Sequence, residues 1–105
     1  MKVKVPPKVK VASHSYLIRF DRKVLRSASA NGLARHTYQD IIVSDDVAMS
    51  ERNQILLHEL LHLVERFWGV KLDDIDIDRI AEGLAVILFD NLGIELDWSL
   101  IEGSK

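Results

Sequence analysis

Residues 50–69 read SERNQILLHELLHLVERFWG, and this stretch decides the fold because it carries the clearest helical pattern in the chain. Ser50 is a suitable N-cap, and Glu51 suits the positive end of a helix dipole. Neither Gly nor Pro interrupts the stretch before Gly69, a residue type that commonly ends helices. The sequence therefore predicts a helix over about residues 50–68.

The apolar part of this helix, residues 55–64, contains three polar side chains: His58, Glu59 and His62. Side chains four residues apart lie one turn apart on the same helix face, so both imidazoles point the same way. Two neutral imidazoles in that arrangement can bind one divalent cation, and Glu59 can reach the water that the cation carries. The pattern predicts a site for one zinc ion.

A second helix is predicted over about residues 77–92, ending at Gly93. Within it, residues 80–89 contain a single charged side chain, Glu82, so we expect most of this helix to be buried. A buried carboxylate is costly unless it is paired, hydrogen-bonded or bound to a metal. We therefore predict that Glu82 is the third protein ligand of the zinc ion.

A metal-free alternative remains, in which the two histidines are core residues and Glu82 pairs with Arg79 or Arg52. Zinc is the preferred interpretation because it accounts for all three polar groups together. Glu65 is a less suitable ligand, since three donors on consecutive turns of one helix do not readily surround a metal tetrahedrally. We expect Glu65 to be solvated or to support a ligand.

Two further histidines, His14 and His36, lie in the strand-rich part of the chain and are expected at the surface. The metzincin arrangement needs Gly three residues after the second motif histidine and a third His three residues further on. Glu65 and Trp68 stand at those positions, so the metzincin family is excluded.

Strand patterns fill the N-terminal half. Val9–Val11 and Tyr16–Phe20 fit the two arms of a hairpin, whereas Arg22–Gly32 is predicted to be irregular. Arg35–Val43 mixes polar and β-branched residues, as an edge strand does. The prediction is an α+β fold in which a small twisted sheet of about three strands packs on the two helices, with residues 1–105 forming one domain.

Composition agrees with one compact domain, since 48% of the 105 residues are apolar and 29% are charged. The absence of cysteine leaves imidazole and carboxylate as the metal ligands. Because neither a signal peptide nor a membrane span is visible, we expect a cytoplasmic protein. Residues 1–35 hold nine Lys or Arg and one acid, and we interpret them as solvated strand faces rather than a nucleic-acid-binding surface.

With a HELLH motif beginning at His58 and Glu82 following it, the chain resembles the gluzincin branch of zinc peptidases, the thermolysin-like group, in a minimal one-domain form. The likeness covers roughly Gln39–Leu92, and a more distant one extends to bacterial and phage zinc proteins that cleave repressors. It implies a zincin-like fold, one Zn²⁺ bound by His58, His62 and Glu82, and Glu59 as the general base.

The resemblance further implies that the chain hydrolyses peptide bonds in a peptide or protein bound along the edge strand near Arg35–Val43. Gluzincins also place an Asp shortly after the glutamate ligand to orient a zinc histidine. Ala85 and Val86 stand there in this chain, so Asp90 or a backbone carbonyl is predicted to take that role.

The group that stabilises the tetrahedral intermediate in gluzincins is a His or Tyr from a C-terminal lobe, and the candidates here are Tyr38 and His36. Small gluzincins can be latent, and the apolar tail Ile94–Lys105 is a candidate for occupying the cleft. The alternative function is a zinc-containing protein-binding module without catalytic activity, with Arg35–Val43 or the basic N-terminal third as its binding surface.

Overall fold

The first half of the chain is built around two β-hairpins. The computed structural model describes residues 1–103. In the first hairpin, β2 (Lys8–Val11) runs antiparallel to β3 (His14–Arg19), which confirms the hairpin predicted for this region. A short preceding strand, β1 (Lys2–Lys4), belongs to a separate sheet.

The second hairpin joins β4 (Gly32–Arg35) to β5 (Asp40–Val43). The four strands lie in the order β2-β3-β5-β4, with β3 and β5 parallel. The prediction of one edge strand over Arg35–Val43 is therefore wrong: β5 lies inside the sheet and all of its residues are buried. Its apolar run of Ile41, Ile42 and Val43 is typical of a strand covered on both faces. The edge strand is β4.

A short helix, α1 (Arg22–Ala28), connects the two hairpins where the sequence predicts an irregular segment. Asp21 caps its start by accepting a hydrogen bond of 3.1 Å from the Val24 amide, and Ser29 ends it in the left-handed conformation. Only Leu25 is buried. The helix therefore depends on its caps rather than on an apolar periodicity, which is why the sequence pattern does not reveal it.

The long helix, α2, runs over Met49–Trp68 and agrees with the prediction at both ends. Ser50 is not its cap, because the helix already begins at Met49 after Ala48. Gly69 ends it in the left-handed conformation with its amide donating to the Glu65 carbonyl, as the sequence predicts.

The second long helix, α3 (Asp74–Ala85), continues as a π-helical segment, Val86–Asn91. Ile77 and Ala81 are fully buried and form the face of α3 that packs on α2. The prediction that most of this helix is buried is wrong: Glu82 is exposed. Several apolar side chains on α3, on the π-helical segment and just after it are also exposed, among them Ile75, Ile80, Val86, Ile87 and Leu92.

The tail completes the core. β6 (Glu95–Asp97) pairs in parallel with β1. Trp98 is 6% exposed, and its indole Nε1 donates a 2.8 Å hydrogen bond to the Asn53 side chain on α2. The core lies between the four-stranded sheet and α2, and its buried members are Val5, Tyr16, Ile18, Ile41, Val43, Leu56, Leu63 and Trp98.

These mixed sheets and three helices confirm the α+β class. Within residues 1–103, no helix has both the length and the hydrophobicity needed to cross a membrane.

Candidate metal centre

The two motif histidines face each other on successive turns of α2. Their Nε2 atoms are 3.0 Å apart. The opposite nitrogen of each ring contacts a carboxylate: His58 Nδ1 lies 2.8 Å from Asp78 Oδ1, and His62 Nδ1 lies 2.9 Å from Glu65 Oε1. Both rings are thus fixed in orientation by a carboxylate on the side remote from the shared space.

This arrangement sets the chemistry of the two Nε2 atoms. A neutral imidazole that donates its Nδ1–H to a carboxylate leaves a bare lone pair on Nε2. Two lone pairs at 3.0 Å repel each other unless a proton or a cation lies between them. Two nitrogens that each lie about 2.0–2.1 Å from a tetrahedral zinc ion are about 3.3 Å apart, so the pair fits zinc with little movement.

A third donor is not in place around this pair. Among residues 1–103, no three His, Cys, Asp or Glu side chains are grouped so that they could hold a metal ion. Glu82 is exposed, so burial no longer argues for it as a ligand, and its predicted role stays a prediction. Asp78 and Asp74, one and two turns earlier on α3, line a cavity together with both histidines.

The metal-free alternative is not favoured by these contacts. Neither Arg52 nor Arg79 forms an ion pair with Glu82 in the described part of the chain. Arg52 instead donates to the Asp45 carbonyl and lies over the Phe20 ring. The two histidines are also not core residues, since their side chains are 23% and 32% exposed.

The carboxylates that orient the histidines differ from the predicted one. Asp90 is exposed in the π-helical segment, whereas Asp78 and Glu65 hold the rings. Glu65 also accepts a 2.9 Å hydrogen bond from the Leu72 amide, and this bond, together with that from His62, lowers the pKa of its carboxyl. The expectation that Glu65 supports a ligand is consistent with these contacts. Asp78 could not be found by spacing, because its position depends on how α3 packs against α2.

Glu59 lies beside the histidine pair and is 7% exposed. Burial raises the pKa of its carboxyl from 4.5 to about 7, against the opposing effect of His62. The backbone of β4 packs directly on it: a Cβ atom at Gly32 would lie 2.5 Å from Ile55 Cγ2 and 2.9 Å from Glu59 Oε2. Glycine at position 32 therefore allows the edge strand to approach the face of α2 that carries Glu59.

Two cavities meet at His58, Glu59, Asp78 and Gly32. One, of about 580 Å³, also reaches His62 and is lined by Gly32, Leu33, Ala34, His36, His58, Glu59, His62, Asp74 and Asp78. The other, of about 470 Å³, extends toward Glu51 and Gln54.

The tail does not occupy this region. No residue of the described part of the tail, 94–103, is among those that line either cavity. The prediction that the tail lies in the cleft is wrong over these residues, because Trp98 is held in the core, bonded to Asn53. Residues 104 and 105 lie outside the described part of the chain.

The two candidates for stabilising an intermediate differ in position. His36 lines the larger cavity, and its Nδ1 lies 3.0 Å from the Tyr16 hydroxyl. Tyr38 is 70% exposed and packs under the Arg35 guanidinium, 4.2 Å from its ring centre. His14 is exposed, as predicted, whereas His36 is only partly exposed.

Comparison with known proteins found no matching family model, no matching curated protein and no matching solved structure. The resemblance to gluzincins therefore depends on the motif and remains a prediction.

The raised pKa of Glu59 has a measurable consequence for the metal-free protein. A carboxyl whose pKa is higher in the folded than in the unfolded state makes folding less favourable as pH rises from 4.5 to about 7, with no further change above that. Glu59→Gln removes this effect. We expect the variant to be more stable than the wild type by about 3 kcal/mol at pH 8 and by much less at pH 4.5. Denaturant unfolding in the presence of a chelator measures the difference, and equal differences at both pH values would contradict the assignment.

Proposed function

We propose that the chain is a zinc-dependent peptidase with Glu59 as its general base. The observation that carries the proposal is the pair of facing Nε2 atoms, 3.0 Å apart, with Glu59 alongside in the same cavity. The carboxylates at both Nδ1 atoms favour a lone pair on each Nε2, and a shared cation would satisfy both lone pairs.

The proposed roles follow from the positions of the side chains. His58 and His62 would hold zinc through Nε2, and their Nδ1 partners Asp78 and Glu65 fix the rings and increase their basicity. Zinc bound there would polarise the scissile carbonyl and lower the pKa of its water. Glu59 accepts the proton from the attacking water and transfers it to the leaving amine.

The substrate is proposed to be an extended peptide that binds along β4. This strand lies at the edge of the four-stranded sheet, and Gly32, Leu33 and Ala34 line the same cavity as the two histidines. An edge strand offers unpaired amides and carbonyls that an added strand can satisfy. A peptide paired with β4 would pass directly over Glu59, because the side-chain-free backbone at Gly32 contacts this residue.

The test of the proposal begins with zinc. Titration of the metal-free protein is expected to give one zinc ion per chain in the wild type and none at the same concentration in the His58→Ala, His62→Ala double variant. Incubation of the zinc-loaded wild type with a library of unstructured peptides is expected to give cleavage that a chelator abolishes and zinc restores. Zinc binding without cleavage of any library member would contradict the proposed activity.

The same titration compares Asp78, the α3 carboxylate that orients His58, with Glu82, the predicted third ligand. Asp78 already contacts His58, whereas Glu82 is exposed one turn further along α3. We therefore expect Asp78→Asn to weaken zinc binding by about 10- to 100-fold and Glu82→Gln to change it by less than about 3-fold. The opposite order would restore Glu82 as the ligand that the motif spacing predicts.

A protein-binding module without catalysis is the second candidate, and exposed apolar side chains favour it. Ile80, Val86, Ile87 and Leu92 are 40–63% exposed on α3, on the π-helical segment and just after it. Clusters of this kind are typical of surfaces that bind another protein. The second candidate predicts zinc-loaded protein that cleaves no peptide and a partner whose binding is lost when these side chains become polar.

A further inference from the structure

One glycine of α3 stands where the fold of this chain does not require it. Gly83 is exposed and lies inside the continuous helical run that α3 forms with its π-helical extension. It lacks the positive φ that favours glycine, and a Cβ atom added to it would meet nothing of the described chain within 4 Å. Glycine inside a helix is less stable than alanine. The chain alone gains nothing from glycine here, so the open space serves an approach from outside.

Three exposed apolar side chains surround this space. Ile80 and Val86 lie three residues from Gly83 and Ile87 lies four, the spacing that places side chains on one helix face. Their exposed fractions are 40%, 47% and 53%. The buried Ile77 belongs to the opposite face, which packs on α2. We call Ile80, Gly83, Val86 and Ile87 the Gly83 face.

Acidic side chains flank the Gly83 face. Residues 74–91 contain five acidic residues and one arginine. All five acids are exposed, and no lysine or arginine among residues 1–103 forms an ion pair with any of them. Uncompensated negative charge beside an apolar surface attracts a partner that carries positive charge. A second copy of this face would instead bring acid against acid. The five are Asp74, Asp76, Asp78, Glu82 and Asp90.

The missing side chain of Gly83 also indicates the shape of the partner. The distance between two packed helices depends on the side chains at their contact, and a glycine there allows the closest approach. A helix that crosses at Gly83 would place its apolar side chains against Ile80, Val86 and Ile87. Its polar side chains would then lie beside the flanking acids. An amphipathic helix that packs its apolar face on an apolar surface is a common mode of recognition.

We propose that the Gly83 face binds an amphipathic helix of another protein, one whose polar side chains are mainly Lys or Arg. The inference goes beyond the proposed peptidase function, because it needs neither zinc nor peptide cleavage. It also gives the second candidate function, the protein-binding module, a class of partner. Its failure leaves the peptidase proposal standing.

The test measures the binding of three labelled peptides to the full metal-free chain by fluorescence anisotropy. Each peptide has about 18 residues, long enough to form a helix. The first carries Leu on one face and Lys on the other, the second replaces Lys by Glu, and the third keeps Lys but replaces Leu by Ser. We expect the Leu/Lys peptide to bind at least about 10-fold more tightly than either of the others. Equal binding of the Leu/Glu or the Ser/Lys peptide overturns the proposal.

Substitutions then locate the binding surface. Ile80→Ser and Ile87→Ser are each expected to weaken binding of the Leu/Lys peptide by about 10-fold. Leu17→Ser is the matched control, because this side chain is 41% exposed but stands on β3. It should bind within about 2-fold of the wild type. If Ile80→Ser and Ile87→Ser bind as the wild type does, the peptide lies elsewhere and the proposal is wrong.

Gly83→Ala separates binding from stability. We expect this variant to unfold at a higher denaturant concentration than the wild type, yet to bind the Leu/Lys peptide at least about 5-fold more weakly. A variant that binds as the wild type does, or that is not stabilised, contradicts the role assigned to Gly83. Sedimentation of the chain without peptide addresses the other occupant. Self-association that Ile87→Ser abolishes would assign the Gly83 face to a second copy and overturn the proposal.

Discussion

Glu59→Gln is expected to reduce peptide cleavage by the zinc-loaded protein by about 10³-fold. Glutamine occupies nearly the same volume but accepts no proton, and general acid–base catalysis contributes about 10²- to 10⁴-fold to the rate of such reactions. The side chain lies next to His58 in sequence and lines both cavities that meet at the histidine pair. No other carboxylate near the pair is as deeply buried, since the Asp78 side chain is 64% exposed.

Glu51→Gln is the matched control for this change. Glu51 also stands on α2 and lines the smaller cavity, but it is exposed and lies two turns from His58. Its variant should cleave at close to the wild-type rate. Both variants should bind one zinc ion, because neither residue is a proposed ligand. Unchanged cleavage by Glu59→Gln, with zinc bound, would remove Glu59 from the mechanism.

How much of the site could be predicted depends on how local each contact is. His58, Glu59 and His62 share one helix, so their relative positions follow from helix geometry, and the facing Nε2 atoms agree with it. Glu65 is three residues from His62 on that same helix, so its contact with the His62 ring also follows from helix geometry. The contacts of the candidate site that follow from the sequence all lie within α2.

Contacts between elements were predicted less well. The expected burial of Glu82 was wrong, because an apolar sequence does not establish that a helix is covered, whereas its role as a ligand stays a prediction. The residue of α3 that meets His58 is Asp78, and the choice between positions one turn apart depends on the packing of two helices. The edge strand was misplaced for the same reason: the order of strands in a sheet is a long-range property, and β5 turned out to be internal.

The surroundings of His36 could not be predicted from its sequence neighbours, which indicate only a polar position near an edge. Its ring contacts the buried Tyr16 hydroxyl, which comes from a strand 20 residues earlier. That contact depends on the order of the strands in the sheet.

Trp98→Ala is expected to lower the free energy of unfolding by about 4 kcal/mol, a large part of the stability of a domain this size. The indole is 6% exposed, packs on Phe20 with 5.7 Å between ring centres, and donates to Asn53 on α2. Its removal leaves a cavity and a buried amide oxygen without its donor. Trp68→Ala is the matched control, because that indole is 62% exposed at the end of α2 and should cost less than about 0.5 kcal/mol.

Denaturant unfolding of Trp98→Ala and Trp68→Ala also tests whether the tail stabilises the core. If the tail anchors the core, the chain needs it to fold. Deletion of residues 94–105 should then unfold the chain and should not activate cleavage. If instead Trp98→Ala unfolds at the same denaturant concentration as the wild type, the tail contributes nothing to the core. An inhibitory position in the cleft would then again be the better explanation for its apolar sequence. The packing of Trp98 supports a tail that anchors the core. Asn53 joins Trp98 to α2, which carries the histidine pair, and Phe20 joins it to the end of β3.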